Sequence, residues 1–207
     1  ENAKGVYIIS ATPFDDDGSI DFNSADSLVE FYIEKGVNGI TILGMMGEAN
    51  KMSGDESDGF MRHMLKRVAG RVPVIVGISD PGLNNLVRLA KSSMDSGAAG
   101  VMIAPISGLN TEEKIYNYFE QLFAALGGDI PVCYQDYPQA TGVHISVDCF
   151  NRQVRDFDQM VMFKHEDCPG HRKLSSLRRA PETDGVRRVS ILSGKGTPNP
   201  SGINPSF

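Results

Sequence analysis

The 207-residue sequence has no surplus of positive charge, no apolar run approaching a membrane span and no C-x-x-C pair. Each absence removes a class of function. With 20 Lys and Arg against 26 Asp and Glu, the formal net charge is −6. A nucleic-acid partner is therefore not expected, because phosphate backbones are held by clustered excess cations. The one basic cluster, Arg172, Lys173, Arg178 and Arg179, falls in a helix-like stretch and reads as a solvated face. Membrane spans need ~20 consecutive apolar residues, and none of that length is present. The first residues, "ENAKGVYIIS", lack the charged region, apolar core and cleavage site of a secretory signal. The expectation is a cytoplasmic protein with no membrane partner. Cys133, Cys149 and Cys168 are odd in number and widely spaced, which signals neither a disulfide framework nor a zinc site. They read as two core or near-core thiols and one loop thiol. The four histidines show no H-x-x-x-H spacing, so no metal is expected, and no cofactor is called for.

What is present is a repeat. Short runs rich in Val, Ile, Leu and Met occur at 5–10, 39–44, 72–78, 100–106, 130–135, 160–164 and 189–194, roughly 30 residues apart, the length of one βα unit rather than a hairpin. Their near-continuous apolar character fits parallel strands covered on both faces. Helix punctuation lies between them. "SGDE" (53–56) has capping-box spacing, with a helix running to about Ala69 before Gly70. "NTEE" (110–113) opens another helix, whose Ile115, Phe119, Leu122, Phe123 and Leu126 share one face. Seven such units predict an α/β fold of the (β/α)8 TIM-barrel type. An open doubly-wound sheet would carry a Gly-rich dinucleotide loop, and "GMMGEA" does not match G-x-G-x-x-G.

The barrel domain is expected over 1–194. Residues 195–207, "KGTPNPSGINPSF", are too rich in Pro and Gly for regular structure. The eighth βα unit is thus expected to be missing or replaced, and an open barrel edge favours oligomerisation.

In such a barrel the chemistry sits where strands end. "QMVMFKHEDC" (159–168) is a buried-looking strand that ends on Lys164. A lysine there has two readings. It is a residue leaving the core for water or pairing with Glu166, or it is a desolvated amine held ready to attack a carbonyl. A neutral amine forms a Schiff base with a ketone, and the iminium is an electron sink for carbon–carbon cleavage, condensation or dehydration. Glu166 shares Lys164's side by alternation and could be acid/base or charge partner.

Six stretches, in order and spacing, resemble the dihydrodipicolinate synthase / N-acetylneuraminate lyase family of class I aldolases from about Gly5 to Gly194. They are "TPFDDDGSID" (12–21), "GVNGITILGMMGEANKMSGDE" (36–56), "VPVIVGIS" (72–79), "SGAAGVMIAPI" (96–106), "QDYPQATG" (135–142) and "FKHED" (163–167). The resemblance implies that Lys164 forms the Schiff base. It also implies a 2-oxo acid or keto-deoxy sugar acid as substrate, and a homo-oligomer. Chain positions corresponding to the family's substrate loop are Gly44, Met45, Met46 and Gly47, where the family usually carries two threonines. The methionines make this loop more apolar, as substrate contact or as core filling. Gln135 stands where the family has its proton-shuttling tyrosine, and a glutamine cannot act as a general acid. Tyr137, two positions on, points the same way if the strand persists and is the candidate replacement. Tyr134 should face the helix layer. Ala140 replaces a carboxylate-binding arginine, which argues against aspartate semialdehyde as second substrate. Gly194 completes the expected rim. The alternatives to an aldolase-type lyase are a keto-deoxy sugar acid dehydratase using the same iminium, and a relative that only binds ligand.

Overall fold

The computed structural model describes residues 3–194. They form two compact units, Lys4–Met102 and the chain from Ile103 onward.

The first unit contains β1 (Tyr7–Ile9), α1 (Phe22–Glu34), β2 (Gly39–Ile42), α2 (Gly54–Val68), β3 (Val74–Gly77), α3 (Leu83–Asp95) and all but the last residue of β4 (Gly100–Ile103). β1 to β4 pair in parallel and in chain order. Parallel neighbours need a crossover, and each helix supplies one while burying an apolar stripe: Val29 on α1, Phe60 and Met64 on α2, Leu86 on α3. Every residue of β2, β3 and β4 is buried, which is why those runs lack polar alternation. The α2 capping box forms as expected: the Glu56 N–H donates to Ser53 Oγ, and the Ser53 N–H donates to Glu56 Oε2 at 2.8 Å. At its C-terminus the left-handed turn begins one residue early, at Ala69 with φ 50°.

The second unit contains α4 (Glu112–Leu126), β5 (Val132–Asp136), a short α5 (Pro138–Thr141), α6 (Val147–Asp156), β6 (Met160–His165), α7 (His171–Thr183) and β7 (Ser190–Ser193). α4 is capped by Thr111, not Asn110, and all five residues expected on its apolar face are buried. β5, β6 and β7 pair in parallel, with Gln135 beside Lys164 and Asp136 beside His165. Tyr134 projects into the helix layer as expected. Its ring stands 5.0 Å from Phe119 of α4 and 5.9 Å from Phe150 of α6, and it stacks on Phe163 of β6. Burying each such ring contributes ~1.5–3 kcal/mol.

Seven strands among the described residues, alternating with helices and each paired in parallel with a sequence neighbour, give the expected (β/α)8-barrel class of fold. The expected loss of an eighth unit concerns residues 195–207, which lie outside the described residues.

Candidate functional site

Lys164 occupies the fifth of six positions in β6, and its side chain is buried, 9% exposed. Parallel pairing sets Gln135 of β5 next to it. Two residues on, Glu166 leaves the strand on the same side. Its Oε2 lies 3.0 Å from Lys164 Nζ and accepts a 2.8 Å hydrogen bond from Gln135 Nε2. Gln135, Lys164 and Glu166 thus form one closed, buried polar group. A buried charge costs several kcal/mol unless paired, and here the ammonium and carboxylate offset each other.

Gly194, just past β7, makes room for this group. Its N–H donates to the His165 carbonyl at 2.8 Å, and a side-chain carbon on it would fall 2.6 Å from Glu166 Cγ and 2.9 Å from Oε1. Any other residue at 194 would displace the carboxylate.

The opposite face of the same strands carries a second charged cluster. Asp136, 1% exposed, accepts from Lys173 Nζ of α7 at 2.8 Å and lies 3.1 Å from His165 Nδ1. Lys173 also reaches Asp167 at 3.3 Å. The His165 Nε2 atom is buried with no hydrogen-bond partner, closed off by the backbone at Gly170. Lys173 therefore corrects the reading of the basic cluster as a solvated face. Arg172, Arg178 and Arg179 are exposed, but Lys173 turns inward because Asp136 would otherwise be a buried, underpaired carboxylate. Alternation along β5 and β6 was the signal that could have found this pair: residues one beyond Gln135 and Lys164 must share the other face.

Tyr137 is not a continuation of β5. The strand ends at Asp136, and Tyr137 is the half-buried residue leading into α5, with φ −130° and ψ 71°. Pro138 fixes the next turn and stops the strand, so alternation does not carry from Gln135 to Tyr137.

In the first unit, the Gly44–Gly47 loop follows β2 directly. Leu43 and Glu48, at φ 53° and 55°, bracket it in left-handed conformations. Thr12 Oγ1 donates to the Gly47 carbonyl at 2.7 Å. Gly44 and Gly47 are buried, whereas Met45 and Met46 are 41% and 65% exposed, which rules out core filling for both methionines. A cavity of about 270 Å³ opens beside the ends of β2 and β3, with Leu43, Ser53, Gly77, Ile78 and Arg88 among its walls. Gly77 is required there, since a side-chain carbon would sit 2.1 Å from the Leu43 carbonyl oxygen.

Cys133 and Cys149 are buried and Cys168 is exposed, matching the two core thiols and one loop thiol expected. Burial pushes the Cys133 thiol up to about 12. The Tyr134 phenol is likewise pushed well above its ordinary value, first by burial and then by the Asp136 carboxylate. Among the described residues no three His, Cys, Asp or Glu side chains gather as a metal-holding group, and no helix is long and apolar enough to cross a membrane.

Comparison with known proteins bears on this arrangement. The 4-hydroxy-tetrahydrodipicolinate synthase of Desulfotalea psychrophila is 33% identical over 88% of this chain, and that of Phocaeicola vulgatus 28% identical over 78%. The chain spans only 60% and 54% of those two proteins. The crystal structure of dihydrodipicolinate synthase from Rhodopseudomonas palustris superimposes with a TM-score of 0.89 at 44% identity, covering 92% of this chain and 63% of that one. Residues 2–194 match the model of a single family, and the strands that carry Lys164 and the Gly44–Gly47 loop fall within that match. The chain belongs to the dihydrodipicolinate synthetase family.

Proposed function

We propose that the protein is a class I aldolase-type lyase in which Lys164 forms an iminium with a 2-oxo acid or a related carbonyl compound. One observation carries this reading: an amine at the end of a parallel strand is buried and, among the described residues, is paired with a single carboxylate at 3.0 Å. A lysine that only leaves the core would extend to water, whereas the pairing with Glu166 fits both a structural charge pair and a reactive amine, and the trapping experiment separates the two. The relatives named 4-hydroxy-tetrahydrodipicolinate synthase support an enzyme. In this reading the Gly44–Gly47 loop holds the anionic end of the substrate, with Met45 and Met46 as apolar contacts. Gln135 and Gly194 shape the surroundings of the amine, and Tyr137 is the candidate phenol at its mouth. The barrel portion is residues 1–194, and the working form is a cytoplasmic homo-oligomer acting on a small molecule without cofactor or metal.

A dehydratase acting on a keto-deoxy sugar acid would use the same iminium. The test is incubation with a panel of 2-oxo acids and keto sugar acids, reduction with borohydride, and intact mass measurement. Covalent adducts with at least one member are expected. A ligand that raises the melting temperature yet leaves no adduct and no turnover would replace this reading with that of a binding protein.

A further inference from the structure

We infer that Glu166 is a catalytic residue, the proton carrier for every step at the Lys164 nitrogen, with Gln135 as the residue that positions it. This rests on the iminium reading above and deepens it.

Iminium formation from an ammonium must move protons from nitrogen to oxygen. The nitrogen starts with three protons and ends with one, and the carbonyl oxygen leaves with two. A group that performs this transfer must touch the nitrogen, hold a fixed direction and exchange protons at neutral pH. Glu166 Oε2 is 3.0 Å from Lys164 Nζ. Gln135 Nε2, 2.8 Å from that same oxygen, fixes the carboxylate plane, and Gly194 leaves space for the other oxygen, Oε1. Gln135 itself has no exchangeable acid to offer. The Tyr134 phenol lies on the opposite face among Phe119, Phe150 and Phe163. Asp136 is committed to His165 and to Lys173 on that same face. Among the described residues, Glu166 is the carboxylate paired with the amine.

The steps balance with Glu166 alone. Its carboxylate takes one proton from the ammonium, and the freed nitrogen pair attacks the carbonyl carbon as the C=O π pair moves onto oxygen. Glu166 returns that proton to the oxygen, giving a carbinolamine. It then takes a second proton from nitrogen and delivers it to the hydroxyl, which leaves as water while the nitrogen pair closes the C=N bond. The carboxylate ends unprotonated beside the iminium cation, which its charge stabilises.

The test uses the full chain with pyruvate as probe, borohydride quenching at timed intervals, and mass measurement of the adduct across a pH series. The wild-type protein is expected to trap pyruvate. Glu166→Gln, which keeps the shape but removes the base, should trap about 100-fold more slowly and lose the acid limb of its pH–rate profile. Glu166→Ala supplies an independent reading that does not depend on the glutamine variant folding: formate should restore its trapping rate, and should do nothing for Lys164→Met. A Glu166→Gln protein with wild-type rate and profile would overturn the assignment while leaving the iminium intact, as would an alanine variant deaf to formate. A wild-type protein that traps no oxo acid would overturn both.

Discussion

The two faces of β5 and β6 treat their lysines differently. Among the described residues, Lys164 has one carboxylate partner, whereas Lys173 has two, Asp136 and Asp167. In the proposed function the first arrangement leaves an amine that can react, and the second secures a strand end against a helix. We predict that Lys173→Ala lowers unfolding free energy by about 3 kcal/mol, because it strips Asp136 of its cationic partner in a buried setting. Urea denaturation of the variant checks this, and a change below about 1 kcal/mol would show that Asp136 is relieved by water instead. How far the sequence led can be judged at these same residues. Lys164 at a strand end and Glu166 as its charge partner were both legible from alternation. The partnership of Gln135 with Glu166 was not, because it depends on the parallel register that sets residue 135 beside 164. The inward turn of Lys173 was hidden for another reason: its neighbours Arg172, Arg178 and Arg179 are exposed, so the cluster read as a solvated face.

At the scale of elements, the apolar runs predicted all seven strands to within three residues at their C-terminal ends, because parallel buried strands have no polar alternation to blur. What the pattern could not supply was the break after β5. Pro138 ends that strand, and the turn at Tyr137 removes the phenol from strand geometry altogether. A related feature is the anchoring of α6 to the start of β6. The Arg187 guanidinium donates to the carbonyls of Met160 at 2.9 Å and Phe157 at 3.2 Å, with Val154 and Asp158 slightly further. Val154 lies in the last turn of α6 and Phe157 is its C-cap, so a cation there complements the helix dipole. Arg187→Ala should cost about 2 kcal/mol through these charge-assisted bonds. Thermal melting should show it, and it should also loosen hydrogen-exchange protection in β6. An unchanged melting temperature would mean that solvent replaces the guanidinium without loss.

At the scale of the molecule, pH acts through groups held protonated by burial. The Cys133 thiol, pushed up to about 12, is protonated in the folded chain at pH values where an unfolded thiol has ionised. The folded state therefore binds more protons above the ordinary thiol range. Stability from this group is complete below ~pH 8.5 and is lost as pH rises toward 12. Native Cys168 should alkylate readily at neutral pH while Cys133 stays unmodified until the protein unfolds, which quantitative mass labelling reads directly. Equal labelling of the two would show the second unit to be loosely packed. The claim on which the functional account stands is that one particular amine, and not merely some lysine, carries the reacting carbon. Peptide mapping by tandem mass spectrometry after reductive trapping with pyruvate addresses it directly. The account predicts a secondary amine on Lys164 and none in Lys164→Met. A label on Lys173 or any other lysine, or its survival in Lys164→Met, would contradict it.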